Sequence, residues 1–251
     1  MNEAISDLLG GFAPVSLDEL DQRAALLQRV DRKYAANVDC LRELAARLAG
    51  DHDILEVEGR RLFRYRSAYF DTPDRRCFRD HVEDRLPRFK ARVRTYEDTG
   101  QCVFEVKLTR AEGETDKRQV AHDVQAAQRL TPEAEECLSQ ALDDAGLTVP
   151  DELGHNLTTS FSRLTLAARG GSERLTCDMG IALAAPTGQT VHMREELVLI
   201  ETKSETGESP ADRALAELGV APISLSKYRV GIGLLDLGRR GDPQPGSDLF
   251  A

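Results

Sequence analysis

Arg88, Lys90, Arg92 and Arg94 alternate with Phe89, Ala91 and Val93 in the run Arg88-Phe89-Lys90-Ala91-Arg92-Val93-Arg94-Thr95-Tyr96. A β-strand turns successive side chains to opposite faces, so this spacing stacks four cations on one side. Such a row repels itself unless water screens it or an anion neutralises it. Two readings stand: the solvated face of an edge strand, where charge discourages strand addition, or a surface that holds a polyanion. The chain around the row is acidic, with a formal net charge of −10 over 251 residues, so the basic face is local.

The same period recurs elsewhere. Arg64 and Arg66 are two apart in Phe63-Arg64-Tyr65-Arg66, as are Glu105 and Lys107 in Phe104-Glu105-Val106-Lys107, and Glu201 and Lys203 in Ile200-Glu201-Thr202-Lys203. Several strands with charge on one face and apolar residues on the other can close into a barrel with a polar lumen. Arg brings planar forks and Lys a mobile point charge, so a lumen lined by both could grip successive phosphoryl groups.

Other chemistries find no support. An acidic chain argues against general nucleic-acid binding, though not against an enclosed basic site, and a metal carried with the substrate would ease the approach of an anion. There is no GxxxxGK[ST], GxGxxG or GxSxG motif, so phosphates would have to be held by side chains. Cys40, Cys77, Cys102, Cys137 and Cys177 form neither a CxxC pair nor zinc-finger spacing and read as reduced thiols of a cytoplasmic protein. No signal-like amino terminus and no apolar run of roughly 18 residues is present, so no direct membrane span is expected. His52, His81, His122, His155 and His192 are scattered and read as structural or solvated.

Stretches of regular structure must position these residues. Ser16 and Glu19 form a capping box opening a helix over 17–29. Leu41, Leu44, Ala45 and Leu48 mark a second helix over 39–49. From Ile54 to Lys107 the period is two, punctuated by Gly59, Pro73-Asp74 and Gly100. Thr131-Pro132-Glu133 starts a helix ending at Gly146, and Ser209-Pro210 starts another ending at Gly219. Strands are expected at 157–168, 173–178 and 190–203. Asp71, before Thr72-Pro73, and Asp178, before Met179-Gly180, read as turn residues. The order implies an α+β fold on an antiparallel sheet or barrel, and the tail from Leu237 reads as disordered.

Val30-Asp31-Arg32-Lys33-Tyr34, Tyr69-Phe70-Asp71-Thr72-Pro73, Lys90-Ala91-Arg92-Val93-Arg94, Phe104-Glu105-Val106-Lys107, Lys117-Arg118, Arg163, Leu175-Thr176-Cys177-Asp178, Glu201-Thr202-Lys203 and Ser226-Lys227-Tyr228 follow one another in a particular order. In that order the chain resembles the VTC-type polyphosphate polymerases, a branch of the triphosphate tunnel metalloenzymes within the CYTH-like superfamily. The resemblance covers residues 29–229. It implies a closed antiparallel β-barrel, the triphosphate tunnel, with flanking helices. The expected organisation is an N-terminal helical segment over 1–28, a tunnel domain over 29–236 and a disordered tail over 237–251.

The resemblance also implies an activity: a metal-dependent ATP:polyphosphate phosphotransferase that moves the γ-phosphoryl of ATP to a growing polyphosphate. On that basis Lys33, Arg92, Arg94, Lys107, Arg163, Arg174, Lys203 and Lys227 are expected to bind phosphate, joined by Arg64, Arg66, Lys90, Lys117, Arg118 and Ser226. Lys33, Arg92, Arg94, Lys107 and Glu201 form the expected catalytic group. Glu201 is the expected ligand of Mg2+ or Mn2+. Expected partners are ATP, polyphosphate, pyrophosphate or orthophosphate, not nucleic acid. Two departures bear on this. Hydrolytic CYTH relatives open with an ExExK strand, where this chain has Val30-Asp31-Arg32-Lys33, with one acid near the lysine, which favours synthesis over hydrolysis. The SPX domain and membrane helices of eukaryotic relatives are not seen, as in free-standing bacterial members, so a separate membrane partner is expected if product is translocated. A tunnel triphosphatase and a non-catalytic polyphosphate or nucleotide sensor remain the alternative classes.

Overall fold

The period of two along Arg88–Tyr96 is realised as a strand with every second residue buried: Phe89, Ala91, Val93 and Thr95 point into packed protein, and the four cations to the other face. The computed structural model describes residues 8–23, 30–111, 114–170, 173–235 and 244–251. They form a mixed α+β fold, with a large and mostly antiparallel sheet and several helices. The chain divides into two compact units: Met1–Phe63, Ser162–Gly180 and Met193–Ser224 in the first; Arg64–Phe161, Ile181–His192 and Leu225–Ala251 in the second.

The first unit holds β1 (Ala13–Val15), α1 (Leu17–Arg23), β2 (Val30–Asn37), α2 (Val38–Leu48), β3 (His52–Leu55), β11 (Leu197–Ser204) and α5 (Pro210–Glu217), with parts of β8 (Gly154–Ala168) and β9 (Arg174–Ala184). β2 pairs with β11 and β11 with β9, all antiparallel. β3 pairs antiparallel with β8 and parallel with β1. Helix α2 packs on β2, β11 and α5, burying Leu41, Leu44, Ala45 and Leu48 against Tyr34, Ala36, Val198, Ile200 and Leu215. The Ser16–Glu19 capping box is present: Glu19 N–H donates to Ser16 Oγ while the Glu19 carboxylate accepts from Ser16 N–H. The remainder of the helix expected to 29 lies outside the described residues.

The second unit holds β4 (Phe63–Asp71), α3 (Arg76–Val82), β5 (Arg88–Tyr96), β6 (Gln101–Ala111), β7 (Glu114–Ala121), α4 (Pro132–Asp143), β10 (Thr190–His192) and α6 (Lys227–Leu234), with the remaining parts of β8 and β9. The strands run β8-β4-β5-β6-β7, and β10 pairs with β9. Thr131 caps α4, which packs on β6 and β7 and buries Ala134, Leu138, Ala141 and Leu142. Phe104, Val106 and Leu108 form the fully buried face of β6, opposite Glu105 and Lys107.

Asp71, 2% exposed, ties α3 and α6 to the end of β4. Its carboxylate accepts from the backbone N–H of Thr72, Cys77 and Phe78 and from the Tyr228 hydroxyl. The expected turn-former is therefore a buried acceptor of several hydrogen bonds. The last eight residues depart from the composition-based reading of disorder. Residues 244–251 are structured: Gln244 is buried, and His192 and Ala251 exchange backbone hydrogen bonds at 3.0 and 2.8 Å. Residues 237–243 lie outside the described residues.

The strand path ends at β2 and β7, each with one pairing partner among the described residues. The expected closed barrel is thus not seen in the hydrogen bonding, which gives a large antiparallel sheet. Among the described residues no helix is long and apolar enough to cross a membrane.

Removing a buried acceptor strands every donor aimed at it. Asp71→Ala is expected to lower unfolding stability by roughly 3 kcal/mol, read as a fall in the urea midpoint, with most of the loss remaining in Asp71→Asn.

Candidate functional site

Strand β5 lies between β4 and β6, so its basic row is not an edge-strand face. The side chains of Arg92 and Arg94 are 27% and 12% exposed. Register places Lys90 opposite Lys107 and Lys107 opposite Lys117, while Arg92 faces Glu105. Arg88, Lys90, Arg92, Arg94, Lys107 and Lys117 therefore share one face of three adjacent strands with the single carboxylate of Glu105.

Glu105, 2% exposed, is the hub of this cluster. Arg92 Nε donates to its Oε2 at 2.6 Å, Arg94 Nη2 lies 3.6 Å from the same oxygen, and Lys117 Nζ contacts Oε1. Burial alone would raise the Glu105 pKa, but Arg92, Arg94 and Lys117 bring it down to about 2. Arg92 Nη1 also donates to Tyr69 Oη at 3.0 Å. Burial opposes ionisation of that phenol, yet Arg92, Arg94 and Lys227 lower its pKa. Lys227, at the start of α6, stands 4.5 Å over the Phe161 ring, and Lys90 Nζ donates to Ser226 Oγ at 3.4 Å. Of the residues expected to bind phosphate, Lys90, Arg92, Arg94, Lys107, Lys117, Ser226 and Lys227 thus belong to one neighbourhood of the second unit.

Three expected members do not join it, each for a reason of parity. Register pairs Ser67 with Arg94 and Tyr69 with Arg92, which puts Arg64 and Arg66 on the opposite face of β4. There Arg64 pairs with Asp98 at 3.0 Å and Arg66 with Glu97 at 2.8 Å. Lys117 and Arg118 are adjacent and point to opposite faces; Arg118 Nη1 reaches Asp144, beside the end of α4, at 2.7 Å. These three form ion pairs on the other face of the sheet.

The first unit carries its own cluster. Glu201 faces Lys33 across β2 and β11, and Lys203 faces Asp31 and Arg174. Lys203 Nζ lies 2.6 Å and Lys33 Nζ 3.4 Å from Glu201 Oε1. Burial would raise the Glu201 pKa, but Lys203, Lys33 and Arg163 hold it well below the usual range. Because β11 runs between β2 and β9, the pair is not an edge-strand surface feature. Arg163 forms a two-pronged bridge to Asp178 at 2.6 and 2.8 Å, so Asp178 is a fixed counter-ion rather than a free turn residue. Arg174 Nη2 lies 3.6 Å from Asp21.

Among the described residues no three His, Cys, Asp or Glu side chains gather as a metal site. Glu201 is a hard oxygen donor ringed by cations, a setting that disfavours a bare dication and suits one arriving bound to phosphate.

Three groups were not singled out as functional by the sequence: Glu105, His81 and Arg229. The face sharing of Glu105 with Lys107 was visible, but its contact with β5 and β7 needs the register. His81 reaches Lys90 from α3, with the charge of Arg229 on α6 close to it, and no sequence spacing announces this.

Glu105→Gln leaves three partly buried cations without their anion and is expected to destabilise the protein by about 3 kcal/mol. Because the folded pKa is depressed, the contribution is complete above the ordinary carboxylate value of 4.5 and disappears as pH falls through about 2. Urea midpoints of the two proteins should therefore converge as pH is lowered across that window.

Comparisons with known proteins complete the picture. A candidate adenylyl cyclase from Hippeastrum, described as having a dominant triphosphatase activity, aligns at 16% identity over 87% of this chain and 100% of its own, with a TM-score of 0.48. A candidate adenylate cyclase from Vibrio parahaemolyticus aligns at 15% identity over 84% and 87%, with a TM-score of 0.41. The PH1819 protein of Pyrococcus horikoshii OT3 aligns at 15% identity over 83% and 99%, with a TM-score of 0.44. These likenesses are too loose to carry any property over to this chain. No curated protein matches its sequence. The VTC domain family model, by contrast, matches residues 28–236. With most of its length inside that match, the chain belongs to the VTC domain family.

Proposed function

We propose that this protein is a polyphosphate polymerase, transferring the γ-phosphoryl group of ATP to the end of a polyphosphate chain held by basic side chains. The observation that carries this reading is the half-buried cation row of β5, set inside the sheet beside the cations of β6 and β7. Cations set this close together and partly out of water favour a ligand with several closely spaced negative charges. Family membership supports the same class of ligand.

Phosphoryl transfer asks for alignment and charge neutralisation more than for covalent help from the protein. In this reading Arg92 and Arg94 grip phosphoryl oxygens through their forks, Lys90, Lys107, Lys117 and Lys227 neutralise charge along the chain, and Ser226 offers a hydroxyl. In the first unit, Lys33, Arg163, Arg174 and Lys203 are the cations available to phosphoryl groups. Mg2+ or Mn2+, arriving with ATP, would take Glu201 as its protein carboxylate and draw its other ligands from phosphate and water; bound there, it would neutralise charge on the phosphoryl oxygens.

Synthesis is favoured over hydrolysis because the acceptor phosphate is already an anionic nucleophile, whereas hydrolysis must orient and deprotonate water. Beside Lys33 the acid on the same face of β2 is Asp31, and Lys203 contacts it at 3.3 Å.

Purified protein with ATP and Mg2+ or Mn2+, with and without pyrophosphate, is expected to give mid-chain phosphate signals in phosphorus NMR with matching ADP. Orthophosphate alone would reassign it as a triphosphatase, and binding without turnover as a sensor. Glu201→Gln is expected to reduce turnover about a thousandfold with little change in circular dichroism. Arg92→Ala combined with Arg94→Ala should weaken ATP and tripolyphosphate binding about a hundredfold. Full activity in both variants would refute the assignment.

A further inference from the structure

His81 sits on α3 and meets the basic row from outside the sheet. Lys90 Nζ is 3.0 Å from its Nε2, and the same ammonium reaches Ser226 Oγ at 3.4 Å. An ammonium group has donors only, so Nε2 must accept and cannot carry a proton while this contact lasts. The proton of the neutral ring is then on Nδ1, which is buried without a hydrogen-bond partner. Arg229 Nε, on α6, is likewise buried and unpartnered. An imidazole with its acceptor used by a cation and its donor unused is poised for a different arrangement.

The groups facing it are basic: Lys90 and Arg88 of β5, Lys107 of β6 and Arg229 of α6. The nearby acids are spoken for, since Asp80 pairs with Arg76 and Arg85, and Asp84 with Arg88 at 3.3 Å. Burial, then these four cations, push the His81 pKa down to about 3. Anything that neutralises the cations and draws Lys90 away relieves both constraints at once.

We propose that His81 is a conditional anion contact: when phosphoryl oxygens take Lys90, the released Nε2 accepts a proton from solvent and donates it in a hydrogen bond to the bound anion. The inference rests on the phosphate-binding reading above and adds a consequence that reading does not contain. Binding of a polyphosphate takes up a proton, and the site gains a cation only when an anion is present. An empty site is thereby spared one more repelling charge. Protons and anion bind cooperatively, so affinity rises as pH falls below the bound-state pKa of His81, by up to about tenfold per pH unit.

The test is calorimetric titration of inorganic tripolyphosphate into the full chain in metal-free buffer, between pH 6 and 8. Two buffers of different ionisation enthalpy give the protons exchanged. The wild type is expected to take up more protons than His81→Asn, by up to about one per site toward pH 6, and to show the steeper rise in affinity at low pH. The C2-proton titration of His81 in the unmodified protein provides a second readout, which should move upward when tripolyphosphate is added. Equal proton uptake and equal pH slopes in the two proteins, or a C2 titration unmoved by the anion, would overturn the proposal while leaving phosphate binding intact. Failure of the wild type to bind tripolyphosphate at all would overturn both.

Discussion

The carboxylate of Glu105 is the contact on which the second unit's basic face depends. Arg92, Arg94 and Lys117 converge on it from neighbouring strands, and without it these three would lose their shared anion. Coulombic attraction offsets the desolvation that would otherwise hold the acid protonated, which is why burial and a depressed pKa coexist at one residue. The first unit repeats the device with Glu201 under Lys203 and Lys33, and with Asp178 under Arg163. In each cluster fixed acids hold the cations in place.

What supports this arrangement is ordinary packing on the other side. Phe89, Ala91 and Val93 of β5 and Phe104, Val106 and Leu108 of β6 are buried, and α4 lies on β6 and β7. Burial of these side chains stabilises the sheet enough to tolerate a self-repelling face. At the end of β4, Asp71 gathers donors from α3 and from Tyr228, fixing the helices that deliver His81, Ser226, Lys227 and Arg229. The acidic remainder of the chain leaves the basic character confined to these faces.

Periodicity along one strand was enough to read the β5 row, the charged face of β11 and the capped helices that begin at Leu17, Pro132 and Pro210. Relations between strands were not readable that way. Arg64 and Arg66 look like a continuation of the β5 row until the register puts Ser67, not Arg66, beside Arg94. Lys117 and Arg118 cannot share a strand face, and here parity alone could have separated them. Helix α6 escaped notice because Gly231 and Gly233 break its pattern, although its packing exploits them: a Cβ on Gly231 would stand 2.7 Å from Leu157. The tail misled through composition, since Gly246 reads as disorder but sits against Leu225 with a positive φ of 84° that glycine adopts freely. Glu105 and His81 owe their importance to contacts far apart in sequence, which no local spacing encodes.

The most direct test of the central claim is a crystal structure of the protein with tripolyphosphate bound. The account predicts phosphoryl oxygens within hydrogen-bond distance of Arg92 and Arg94, with Lys90 turned from His81 toward the anion. An anion held elsewhere, with Arg92, Arg94 and Glu105 still closed on one another, would contradict it.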